Sequence, residues 1–195
     1  MVREAGNPWR ALAALAPWRC GPPGVFMGSP RLEIQGVSKR FKKPDGTLLP
    51  VVQELSLAVG SEEFIALLGP SGCGKSTLLR MVDGLIPCDT GRILLDGKDV
   101  TGMPGEGRGM VFQTFDLFPW RTALGNVMAG LEFRGTPPAQ ARALAEDWLR
   151  RVGLGAFGDR YPHQMSGGMR KRAGLAQTLV LDPDIILMDE PFSAL

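Results

Sequence analysis

The sequence predicts an α/β fold with a parallel core sheet, and three observations lead there. Phe64-Ile65-Ala66-Leu67-Leu68 and Ile185-Ile186-Leu187-Met188 are short, wholly apolar runs, closed by Gly69 and by Asp189-Glu190. Runs of this kind suit strands covered on both faces, as in parallel sheets. Between them lies sequence of helical period, and ahead of them lies alternating sequence of the antiparallel kind. Hydrophobic residues make up 44% of the 195 residues, enough for a core.

The elements follow in order. Residues 1–30 hold Pro8, Pro17, Pro22, Pro23 and Pro30 with no sustained period, and read as a disordered extension or as sequence ahead of a true start at Met27. Residues 31–195 form the folded domain. Leu32, Ile34 and Val37 open a strand, Asp45-Gly46 marks a turn, and Leu55, Leu57 and Val59 alternate as a second strand. These make an antiparallel β subdomain near 31–60. A helix is expected from Lys75 to about Leu85. Ile93 and Leu95 mark a strand closed by Asp96-Gly97, and Met110-Val111-Phe112 another. Residues 122–154 are helical in character, within a helical subdomain near 114–165. There Ala141, Leu144, Ala145, Trp148 and Val152 share a face, and Glu146 stands four before Arg150. A last helix runs from Met169 to about Leu181, broken by Asp182-Pro183.

Composition narrows the function classes. No apolar run approaches the roughly 20 residues of a spanning helix, so a membrane role would need other chains to do the spanning. The net charge of +2 is too small to point to nucleic acid. Cys20, Cys73 and Cys88 lack metal-like spacing, and an odd, sparse count fits a reducing compartment.

Gly69-Pro70-Ser71-Gly72-Cys73-Gly74-Lys75-Ser76-Thr77 satisfies G-x-x-x-x-G-K-[ST] between an expected strand and an expected helix. Its glycines let successive backbone N–H groups turn toward phosphates, and the helix N-terminus adds its positive end. Lys75 is placed for the β- and γ-phosphates of ATP, and the Ser76 hydroxyl for Mg²⁺. Asp189 and Glu190 end an apolar strand, where sheets of this kind bind ligands. Asp189 is suited to hold Mg²⁺ through water, and Glu190 to polarise an attacking water. Ser166-Gly167-Gly168 before a helix makes a second anion-binding terminus, which suggests ATP shared between two subunits. In isolation the same residues are a serine cap and a flexible turn.

In this order, the phosphate loop, Gln113, Ser166-Gly167-Gly168 and Asp189-Glu190 resemble the nucleotide-binding domains of ABC transporters over residues 31–195. The resemblance implies a P-loop NTPase core and several roles. Gln113 looks like the glutamine that contacts Mg²⁺ and water and senses the membrane subunit. Ser166, Gly167 and Gly168 look like the signature that grips the γ-phosphate bound to the opposite subunit. Phe41 matches the aromatic position that stacks on adenine, or is an ordinary core aromatic near a strand end. Phe118-Pro119-Trp120, Tyr161-Pro162-His163-Gln164, Met169 and Pro191-Phe192-Ser193-Ala194-Leu195 look like the nitrate, taurine and aliphatic-sulfonate importer group. Gln177 departs from the family's pattern, which more often has arginine nearby.

The implied function is ATP hydrolysis coupled to uptake of a small anion. Two copies close on ATP and pass the motion to transmembrane permease subunits, served indirectly by a solute-binding protein. The site of action is peripheral, at the cytoplasmic face of the membrane. Phe115, Leu117, Phe118 and Trp120 are either the permease docking patch or core. The family continues past Leu195 with an aspartate and, further on, a switch histidine. His163, the single histidine, precedes the signature and is expected to be a loop residue. The expectation is therefore a domain incomplete at its C-terminus, marginal in stability and poor in turnover when made as these 195 residues. The alternatives are an ATP-holding module without turnover and an ABC ATPase without transport.

Overall fold

A bulge shapes the first sheet. Leu32 and Ile34 point to one face of strand β1 (Leu32–Lys42), and by simple alternation Val37 would point to the other. Gly36, at φ 58°, inserts the extra residue that returns Val37 to the buried face. The computed structural model describes residues 29–190 apart from Glu106, Phe115 and Asp116. The expectations for residues 1–28 and for Pro191–Leu195 therefore lie outside the described residues.

The described chain divides into two compact units at Pro104 and Gly105. In the first, β1 pairs antiparallel with β2 (Leu48–Val59) on one side and β3 (Thr90–Leu95) on the other. β4 (Lys98–Asp99) closes the order β2-β1-β3-β4. Leu32, Ile34, Val37, Val52, Ile93 and Leu95 are buried, together with Leu78, Met81 and Val82 of helix α1 (Lys75–Val82). The antiparallel subdomain is thus present and extends to Asp99. Helix α1 stops three residues earlier than expected, at Gly84 with φ 80°.

The strand expected at Phe64–Leu68 does not form. Its backbone joins no ladder among the described residues, and Phe64 and Leu68 are 89% and 71% exposed. An apolar run becomes a strand only where a neighbour takes its N–H and C=O groups.

In the second unit, β5 (Arg108–Val111) pairs parallel with β6 (Ile185–Met188). Helix α2 (Ala123–Phe133) packs with α3 (Pro138–Arg151) and α4 (Gly167–Leu179) around Val127, Leu131, Leu149, Leu154 and Met165. Ala141, Ala145, Ala173 and Ala176 let the helices approach closely. The helical subdomain and the break at Asp182-Pro183 are as expected, and Asp182 is left-handed at φ 49°.

Three expectations are corrected here. On α3 Ala141 and Ala145 are buried and Trp148 and Val152 pack against the same core as expected, but Leu144 is exposed and Leu149 is buried in its place, so the stripe is turned slightly toward Leu149. Glu146 pairs with Arg142 at 2.8 Å, leaving Asp147 to take Arg150 and Arg151. On β6 only Leu187 is buried; Ile186 and Met188 are about two-fifths exposed, since the described helix that packs on this two-stranded ladder, α4 against β5, covers one face only.

Candidate functional site

The expected site residues fall into two groups, one in each unit. In the first unit, residues 69–74 form an irregular loop that ends at Gly74, the cap of α1, at φ 99°. A side chain there would be strained, so glycine is the residue this turn requires. The loop curls around its own lysine. Lys75 Nζ donates to the carbonyls of Gly69 at 2.8 Å and Pro70 at 3.0 Å, and lies 3.7 Å from Cys73 Sγ. Ser76 and Thr77 follow in the first turn of α1. Phe41 lies near the end of β1, 41% exposed, with Lys39 Nζ 5.6 Å from the ring centroid. The core-aromatic reading of Phe41 is thereby set aside.

In the second unit the register of β5 and β6 assembles the site. Val111 faces Met188, and Asp189 N continues the ladder by donating to Val111 O at 3.0 Å. Two residues past each strand end stand Gln113 and Glu190. Equal offsets in a parallel pair bring them together, and Gln113 Nε2 donates to Glu190 Oε2 at 3.2 Å. Asp189 is 4% exposed, whereas Gln113 and Glu190 are open to solvent.

Ser166, Gly167 and Gly168 start α4. Ser166 Oγ accepts from Met169 N at 3.2 Å, so the hydroxyl serves as helix cap. The N–H groups of Gly167 and Gly168 precede the first intrahelical bond, and a Cβ on either glycine would meet nothing within 4 Å. This open, positive helix end suits an anion. His163 is an exposed residue of the 3₁₀ turn Pro162–Gln164, stacked on Tyr161 at 5.8 Å, in line with its reading as a loop residue.

Each unit carries oxygen donors of the hard kind that Mg²⁺ takes: the Ser76 hydroxyl in the first, and the Gln113 amide oxygen and Asp189 carboxylate in the second.

Asn126 escaped the sequence reading. It is fully buried and ties down the segment after Gln113. Its Oδ1 accepts from Phe118 N at 2.6 Å, and its Nδ2 donates to the carbonyls of Phe118, Arg121 and Thr122 at 2.9–3.2 Å. The available signal was a polar residue within the apolar stripe of Ala123, Leu124 and Val127. Of the aromatic cluster beside it, Leu117 is buried, Phe118 is half-buried and Trp120 is 72% exposed. Phe115 lies outside the described residues.

The ABC transporter family profile matches residues 52–193. The chain belongs to the ABC transporter family. An ABC transporter ATP-binding protein of Methanocaldococcus jannaschii is 47% identical over 165 residues, covering 85% of this chain and 61% of that protein. The taurine import ATP-binding protein TauB of Pseudomonas putida is 44% identical over 164 residues, covering 84% of this chain and 61% of its own length. The chain thus spans about three-fifths of these curated ABC relatives. Among solved structures, the dimeric post-hydrolysis ATP-binding cassette MJ0796 bound to ADP and Pi superposes with a TM-score of 0.76 at 30% identity. That match covers 84% of this chain and 75% of that one. The α/β phosphate-loop fold class read from the sequence is the ABC cassette fold.

Proposed function

We propose that this chain is the ATP-binding and ATP-hydrolysing subunit of an ABC importer that takes up a small anion such as nitrate, a sulfonate or taurine. The observation that carries the reading is the contact of Gln113 with Glu190 at the ends of two paired parallel strands. It supports the reading because an amide and a carboxylate, bonded to each other and both open to solvent, can together engage one water. The likeness to TauB supports the anionic substrate.

In this reading the loop 69–74 and Lys75 hold the triphosphate, and Phe41 stacks on the base. A second copy of the chain contributes Ser166, Gly167 and Gly168 to the γ-phosphate. Glu190 accepts the proton of the attacking water as its oxygen bonds to the γ-phosphorus and the bond to the β–γ bridging oxygen breaks, releasing ADP and phosphate. Gln113 orients Glu190 and the water. Mg²⁺, held by Ser76, Gln113 and Asp189, would offset the phosphate charge. No described helix is long and apolar enough to cross a membrane. The chain works peripherally at the cytoplasmic face, on transmembrane permease subunits fed by a solute-binding protein.

The test is Glu190→Gln. It keeps the shape and hydrogen bonding but removes the base, so turnover should fall by about 10²–10⁴-fold while ATP still binds and the ATP-bound dimer accumulates. Steady-state hydrolysis and size analysis with ATP read this, and full turnover in the variant would move the role elsewhere.

A further inference from the structure

The exposed ring of Phe41 sits on a stretch of β1 that β3 no longer supports. Ser38, opposite Thr90, is the last β1 residue paired with β3. Beyond it, Asp89 takes over from the ladder. Its backbone N–H donates to Ser38 O at 2.8 Å, and its Oδ2 accepts from Arg40 N at 2.7 Å. The other oxygen, Oδ1, accepts from Lys39 Nζ at 2.9 Å, and Arg40 Nε lies 3.7 Å from Oδ2. Lys39 is the residue whose ammonium lies against the Phe41 ring. Gly91 makes this reach possible: a Cβ there would stand 2.5 Å from Gln35 O and from Gly36, so only glycine lets the start of β3 draw this close to the bulge. One carboxylate thus fixes both residues that precede Phe41.

We propose that Asp89 is a positioning residue for base recognition, holding Lys39 and Arg40 so that Phe41 presents a fixed, open ring face to the base of a bound nucleotide. This rests on the reading of Phe41 as the base-stacking residue. The physical basis is preorganisation. A ring already ordered by its backbone loses less freedom when a flat base settles on it, whereas a loosened strand end must be ordered at the moment of binding. The phosphates, held by another segment, do not draw on this order.

The experiment compares ATP with inorganic tripolyphosphate, which carries the phosphates and no base, by titration calorimetry on the full chain with Mg²⁺. Phe41→Ala should lower ATP affinity by about 5- to 150-fold, the range of a lost base stack, and leave tripolyphosphate unchanged. Asp89→Ala should lower ATP affinity by about 2- to 10-fold, again with tripolyphosphate unchanged. Asp89→Asn retains an acceptor for Arg40 N and should recover part of that loss. The double variant Phe41→Ala/Asp89→Ala should bind ATP no more weakly than Phe41→Ala alone, because both changes remove one interaction. Equal losses for ATP and tripolyphosphate in Asp89→Ala would overturn the proposal, as would additive losses in the double variant. If Phe41→Ala itself leaves the ratio of the two affinities unchanged, the reading of Phe41 fails and the proposal goes with it. If Phe41→Ala lowers the ratio and Asp89→Ala does not, Phe41 keeps its role and Asp89 loses it.

Discussion

Lys75 spends its charge on neutral carbonyls, those of Gly69 and Pro70. A triphosphate offers charged oxygens in their place, and charge-assisted bonds are about twice as strong. Lys75→Ala should therefore lower ATP affinity by about 10- to 150-fold, the equivalent of one hydrogen bond to a charged group at about 1.5–3 kcal/mol. Nucleotide titration checks this, and an unchanged affinity would remove Lys75 from the site. Residues of this kind were legible because the phosphate loop is nine consecutive residues whose chemistry depends on one another. Gln113 and Glu190 stand 77 positions apart, and their contact was not legible. Their roles came from resemblance, and the contact from the register of β5 with β6. Phe41 was open between a core ring and an exposed one until its surroundings in the fold showed it exposed.

Among the elements, the segment 118–122 depends on a single buried side chain. Asn126→Ala leaves the Phe118 N–H without its acceptor, and a buried orphan of this kind costs about 1–3 kcal/mol. Asn126→Asp should cost more, since it turns a carboxylate oxygen toward three carbonyls. Urea denaturation of the two variants checks the order, and an aspartate variant as stable as the parent would refute it. The distal end of β1 depends on Asp89 in another way. Its carboxyl is held below the ordinary value of 3.8, first by the hydrogen bond from Lys39 and then by that from the Arg40 N–H. A lowered carboxylate contributes stability that is full above the unfolded value and is lost as pH falls through the folded one. The Arg40 amide resonance should therefore shift with a midpoint below pH 3.8, and a midpoint at or above that value would show that the carboxylate is not so engaged. Where elements departed from expectation, partners were the cause. The stripe on α3 turned toward Leu149 because α2 and α4 lie there, and Phe64–Leu68 is no strand because no described neighbour completes its ladder.

For the molecule in its assembly, Trp120 is the exposed member of the aromatic cluster. Its ring lies 5.6 Å from that of Phe118, whose backbone Asn126 holds. A large, exposed aromatic is the form a contact with the proposed permease would take. Under the proposed importer reading, Trp120→Glu should reduce co-purification with the transmembrane subunits while ATP affinity stays at the parent value, and undiminished co-purification would place the contact elsewhere. By itself the sequence determined the fold class, the order of most elements, the phosphate-loop motif and the family. Each is written in consecutive residues or in a period, and such local patterns survive without knowledge of what lies opposite. Tertiary structure alone decided that Gln113 meets Glu190, that Asn126 and Asp89 brace the segments beside Trp120 and Phe41, and which apolar residues are covered. Those outcomes depend on strand register and on helix faces meeting across long stretches of chain, and no single stretch specifies its partner.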